Sequence, residues 1–125
     1  MNSKIFKILT IGWSLAILFL TLKPHTGDEV FWLLKIQGMD KVAHFGLFFI
    51  LTLLAFPAFK FAGKNVKWQI AISIIYGVLM SFLTEYGQQF VQGRSSDLLD
   101  FIADTLGVLC GLAFAKYLLF KNITI

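Results

Sequence analysis

Residues 97–120 read DLLDFIADTLGVLCGLAFAKYLLF. From Phe101 to Phe120 the only charged residues are Asp104 and Lys116. At about 1.5 Å per residue, such a run coiled as a helix crosses a hydrocarbon core about 30 Å thick. Its apolar residues do not alternate with polar ones, as they would in a membrane-barrel strand. Lipid leaves only helices or closed barrels able to satisfy their own backbone, so the stretch reads as a transmembrane helix. One face of it stands out. At 100° per residue, Asp97, Asp100, Asp104, Gly107 and Gly111 fall in a sector about 80° wide. Gly107 and Gly111 form a small-xxx-small pair, the pattern that lets another helix approach closely. The acids continue that packing face toward the helix start.

Three further apolar runs precede it, Ile8–Leu22, Val42–Phe59 and Trp68–Thr84. The predicted fold is all-α, a polytopic bundle of four transmembrane helices at about 5–22, 42–59, 68–85 and 97–120. They form one membrane domain over residues 1–125. A stretch at about 28–37 is apolar but too short to span, and is predicted to lie in the interface or dip back between helices. Composition agrees. The 125 residues are 58% hydrophobic and 14% charged, against about 25% charged in soluble domains. A chain this short has too little interior to hide that apolar surface from water. Disorder is excluded, and no nucleic-acid partner is expected despite a pI near 9.3. Cys110 is the single cysteine and matches no disulfide, zinc or redox spacing. The first run follows Lys4 and Lys7 like a signal peptide, but Lys23, Pro24 and His25 stand where a small-x-small cleavage site would. A retained helix is predicted.

The charges segregate. Four spans put both termini and the 60–67 hairpin on one side, with Lys4, Lys7, Lys60, Lys64, Lys67, Lys116 and Lys121 and no acid. The other side holds Lys23, Lys35, Lys41, Arg94 and all seven acids. Lys and Arg excess marks the cytoplasmic side, so both termini are predicted inside. The acids then mark a polar site on the outer face.

The candidate site residues lie there. Asp40 and His44 sit one turn apart on the same helical face. Asp40 can cap the second helix and Lys41 can snorkel to the interface. His44 lies about a turn inside the apolar run and needs partners for both ring nitrogens. Asp40 or an acid from another helix can supply one. Ser81, Glu85 and Gln88 or Gln89 share a face of the third helix. Asp97 can cap the fourth helix, with Asp100 at N3 in a capping-box-like arrangement. Asp104 is about 10 Å further along the axis, beyond the reach of capping. An acid so placed costs up to about 2.5–3.5 kcal/mol unless paired or wet. Arg94, the only arginine, is its natural partner. These residues form either an internal polar plug that fixes helix register or a pocket for an outside ligand.

The motif Asp40-Lys41-x-x-His44, followed by Glu85-x-x-Gln88-x-Phe90-x-x-x-Arg94-x-x-Asp97-x-x-Asp100-x-x-x-Asp104-x-x-Gly107, resembles the VanZ-like family of small bacterial membrane proteins. Asp104 departs from the pattern, because the family often has Asn there. The resemblance implies a multi-pass protein of a bacterial cytoplasmic membrane that acts on the cell envelope, and the family's founding member is linked to teicoplanin resistance.

Three functional readings follow. The first is a non-catalytic membrane protein that binds or modifies an envelope component. Its binding residues would be Asp40, Lys41, His44, Glu85, Gln88, Arg94, Asp97, Asp100 and Asp104, and its partners a membrane lipid and a lipid-linked or cell-wall component. The second is an intramembrane enzyme acting on a lipid-linked phosphate or glycan. His44, Glu85 and Asp100 are its candidate catalytic residues and Arg94 its phosphate clamp. No Ser or Cys nucleophile stands beside a base, so a non-enzyme is favoured. The third is a cation site or proton pathway of Asp40, His44, Glu85, Asp100 and Asp104. No ionisable group continues into the basic half, which argues against a pathway. No two-His zinc spacing is present, so no metal and no cofactor are expected.

Overall fold

A computed structural model describes residues 3–23, 38–60, 65–91 and 97–121. Four helices account for nearly all of them: α1 (Ser3–Leu22), α2 (Met39–Ala58), α3 (Val66–Gln88) and α4 (Leu98–Phe120). Each is long and apolar enough to cross a membrane, and there is no strand among the described residues. The all-α, four-span reading therefore stands. The segment at 28–37 and Arg94 lie outside the described residues.

Helix ends follow local chemistry. α2 begins three residues before its apolar run because Gly38 adopts φ 83° and lets the chain turn into the helix. A left-handed residue is comfortable only as glycine. α3 is capped by Asn65, whose side-chain oxygen accepts the Trp68 N–H at 3.0 Å. Pro57 falls in the last turn of α2.

The helices alternate in direction along the chain, so α2 and α4 run parallel. They pack the most closely of any pair. A Cβ on Gly107 would strike the carbonyl oxygen of Phe45, and one on Gly111 would lie 2.6 Å from the carbonyl oxygen of Phe49. Glycine is required at both positions because backbone meets backbone there. α1 and α4 both pack on α2 and α3 but not on each other among the described residues. Ile17, Phe48, Leu51, Met80 and Val108 form the main core, and Phe56, Leu112 and Ala115 continue it toward the basic end.

Large apolar side chains also cover the outside, including Ile8, Ile11, Leu15 and Phe19 on α1 and Leu79 and Phe82 on α3. A soluble monomer rarely exposes apolar surface so widely, whereas a lipid-facing bundle must. Hydroxyls inside the bundle are satisfied locally. Thr10, Ser14, Thr21 and Thr52 donate to the carbonyls four residues back. Between helices, Trp13 Nε1 donates to the Leu47 carbonyl at 2.9 Å, and Ser14 bonds Tyr76.

Candidate functional site

The parallel pairing of α2 and α4 decides which polar groups meet. It sets the first turns of both helices side by side, against the last turns of antiparallel α3. The described site residues therefore sit at one end of the bundle, opposite Lys4, Lys7, Lys67, Lys116 and Lys121.

Lys41 forms the outer layer. Its Nζ donates to Asp40 at 2.8 Å, Asp97 at 3.0 Å and Asp100 at 2.6 Å. An ammonium has three hydrogens, and these three carboxylates use them all. Asp97 Oδ1 also accepts the Leu99 N–H at 2.9 Å, capping α4. That bond and the Lys41 ammonium hold the Asp97 carboxyl below its usual range.

His44 forms the inner layer. Its Nδ1 lies 2.7 Å from Asp104 Oδ1, and Asp104 Oδ2 accepts from Ser81 Oγ at 2.7 Å. Asp104 is fully buried, so both bonds are made away from solvent. His44 Nε2 is 3.7 Å from Asp100 Oδ2. Glu85, only 6% exposed, reaches in from α3. Its Oε2 accepts the Asp97 N–H at 3.4 Å. Its Oε1 has no hydrogen-bond partner among the described residues and lies 3.8 Å from His44 Nδ1. One ligand atom from each of His44, Glu85 and Asp104 lies within 4.8 Å of the others.

Several sequence expectations meet a different geometry. Asp40 does not cap α2; Gly38 holds that position without a side-chain bond, and Asp40 turns to Lys41. Asp100 does not complete a capping box with Asp97. Glu85 does so from the neighbouring helix, while Asp100 goes to Lys41. Asp104 is bonded by His44 and Ser81, and Arg94, the partner the sequence suggests for it, lies outside the described residues. Gln88 is buried but tied to α1, with its Nε2 donating to the Thr21 carbonyl at 2.9 Å. Gln89 is exposed. The expected site lacked Ser81 as a member. Its position one turn before Glu85 was the available signal. A search for zinc spacing along the chain misses the His44, Glu85 and Asp104 group, because each comes from a different helix.

Comparison with known proteins gives two findings. A family model described as VanZ/LLP1 matches residues 3–121. A protein of Schizosaccharomyces pombe described as uncharacterized is 36% identical over 83 residues, which is 66% of this chain and 49% of that protein. The chain thus spans about half the length of the relative it matches. No solved structure matches.

Proposed function

The chain belongs to the VanZ/LLP1 family, and from that premise we propose that it is a non-catalytic membrane protein binding the polar head group of an envelope amphiphile. The observation that carries the reading is the imbalance of the cluster. Five carboxylates, Asp40, Glu85, Asp97, Asp100 and Asp104, gather around Lys41 and His44 at one end of an apolar bundle. Intramembrane ionisable groups are expensive and are kept for function. With Lys41 saturated, the groups on offer among the described residues are acceptors, above all Glu85 Oε1. Acceptors suit a head group that donates hydrogen bonds, a glycan or an amine, better than a bare phosphate. The basic ends of the helices mark the cytoplasmic side, so the termini lie inside and the site opens outward. A relative in a yeast favours an amphiphile class that bacterial and eukaryotic membranes share. In a bacterial host the same binding would alter sensitivity to a lipid-bearing glycopeptide such as teicoplanin.

The test has two arms. The purified chain in micelles is titrated with a glycolipid, with phosphatidylethanolamine and with phosphatidylcholine. The amine or sugar head groups should bind, and Glu85→Gln should weaken them at least tenfold. A host lacking the protein should also change its response to teicoplanin. Equal affinity for all three lipids, with unaltered responses to several envelope-targeting antibiotics, would refute the reading.

A second reading draws on the His44–Asp104 contact. A buried carboxylate on Nδ1 fixes the tautomer and leaves Nε2 to act as a base, the arrangement of many hydrolases. Turnover of a lipid-linked glycan or phosphate by the purified chain, abolished in His44→Ala, supports catalysis. Turnover unaffected by that change excludes it.

A further inference from the structure

We propose that His44, Glu85 and Asp104 form a binding site for one divalent transition-metal ion, with zinc or manganese as the best fit. Three helices each deliver one ligand: α2 the imidazole, and α3 and α4 a carboxylate each. Metal–ligand bonds of about 2.0–2.2 Å at tetrahedral angles set ligand atoms about 3.3–3.6 Å apart. His44 Nδ1 stands 2.7 Å from Asp104 Oδ1 and 3.8 Å from Glu85 Oε1, one shorter than that spacing and one slightly longer. A metal bound at Nδ1 takes the place of the proton there, which moves to Nε2 on the side of Asp100 Oδ2, and the three ligand atoms, within 4.8 Å of one another, draw together by about 1 Å.

Glu85 Oε1 points to a ligand independently of this spacing. It is buried beside His44 with no hydrogen-bond partner among the described residues. An unsatisfied buried carboxylate oxygen is costly, and more so within a membrane. A dication meets that cost, and two carboxylates with one imidazole are a donor set that can hold it. The donor set is mixed nitrogen and oxygen, which suits zinc and manganese rather than the all-oxygen preference of calcium or magnesium. Ser81 holds the second oxygen of Asp104 at 2.7 Å, the outer-shell support that orients a metal ligand. Three protein ligands leave a fourth position open, as in metal sites that bind an outside group. The site does not rest on the head-group reading, because metal content is measured on the chain alone.

The full chain is purified without a histidine tag in detergent micelles, stripped with chelator and reloaded separately with zinc, manganese, calcium and magnesium. Elemental analysis should find about one zinc or manganese per chain and little calcium or magnesium. Glu85→Gln and Asp104→Asn should each weaken zinc binding at least tenfold, while Cys110→Ala keeps it. X-ray absorption on the loaded protein should show only nitrogen and oxygen ligands. The proposal is overturned by no retained metal in a wild-type chain with intact helical circular dichroism. It is equally overturned by sulfur ligation, or by full zinc affinity in both folded variants. If both variants unfold, the wild-type stoichiometry and absorption spectrum decide alone.

Discussion

Gly111→Ala probes the contact that brings the site together. A Cβ at position 111 would lie 2.6 Å from the Phe49 carbonyl oxygen, where ordinary contact begins at 3.4 Å. That obstacle is backbone and cannot rotate away, so α4 must retreat from α2 by about 0.8 Å, an overpacking change that typically costs about 1–3 kcal/mol. Carried rigidly to the first turns, the same retreat would stretch the 2.7 Å contact between His44 and Asp104 to about 3.5 Å, past useful hydrogen-bond length. Gly107→Ala, one turn from Asp104 and facing the Phe45 carbonyl oxygen, should do at least as much. Gly46→Ala is the control: its Cβ would meet nothing within 4 Å, so helix propensity alone acts and stability should hold or rise. Reversible unfolding in mixed micelles, followed by circular dichroism, measures all three. If Gly111→Ala and Gly107→Ala are as stable as Gly46→Ala, the close α2–α4 approach is refuted.

Other perturbations separate the layers of the cluster. Lys41→Met leaves Asp40, Asp97 and Asp100 facing one another without their cation, and should cost about 1–3 kcal/mol in the same unfolding assay, because Asp100 is buried and Lys41 only half-buried. Asp104→Leu leaves His44 and Ser81 without their acceptor and should cost about 3–5 kcal/mol, whereas Asp104→Asn, which keeps the shape and the bond to Ser81, should cost far less. Asp97 gives a pH signature. Its carboxyl is held below the ordinary value of 3.8 in the folded chain, so the unfolded chain binds more protons between the two values. Its contribution is complete above pH 3.8 and fades as the pH falls through the folded value. Unfolding measured from pH 6 down to pH 2 should show a shallower acid loss for Asp97→Asn than for the wild type.

The four spans were legible because runs such as Val42–Phe59 and Trp68–Thr84 have no stable alternative in lipid. The face of α4 that carries Asp97, Asp100, Asp104, Gly107 and Gly111 was legible too, because helix periodicity alone defines it. Pairing was not. Periodicity states which residues share a face, but not which helix that face meets. Only the parallel contact of α2 with α4 sets His44 against Asp104. The same pairing explains why Asp97 is capped across helices by Glu85. Gln88, on the same stripe as Glu85, turns instead to the Thr21 carbonyl at the end of α1, since α1 packs on that side of α3. Ser81 shows the limit from the other direction. A serine inside an apolar run most often bonds its own helix, as Ser14 and Thr10 do, and only tertiary structure reveals that this one holds Asp104.

The most direct test of the account is a double-mutant cycle between His44→Gln and Asp104→Asn, read as unfolding free energy in micelles. Residues that share a buried bond couple, and distant ones add within about 0.3–0.5 kcal/mol. A coupling of about 1–3 kcal/mol is expected between these two positions, and none between His44 and Ser73, which bonds the Gln69 carbonyl within α3. Simple additivity of the His44 and Asp104 substitutions would contradict it.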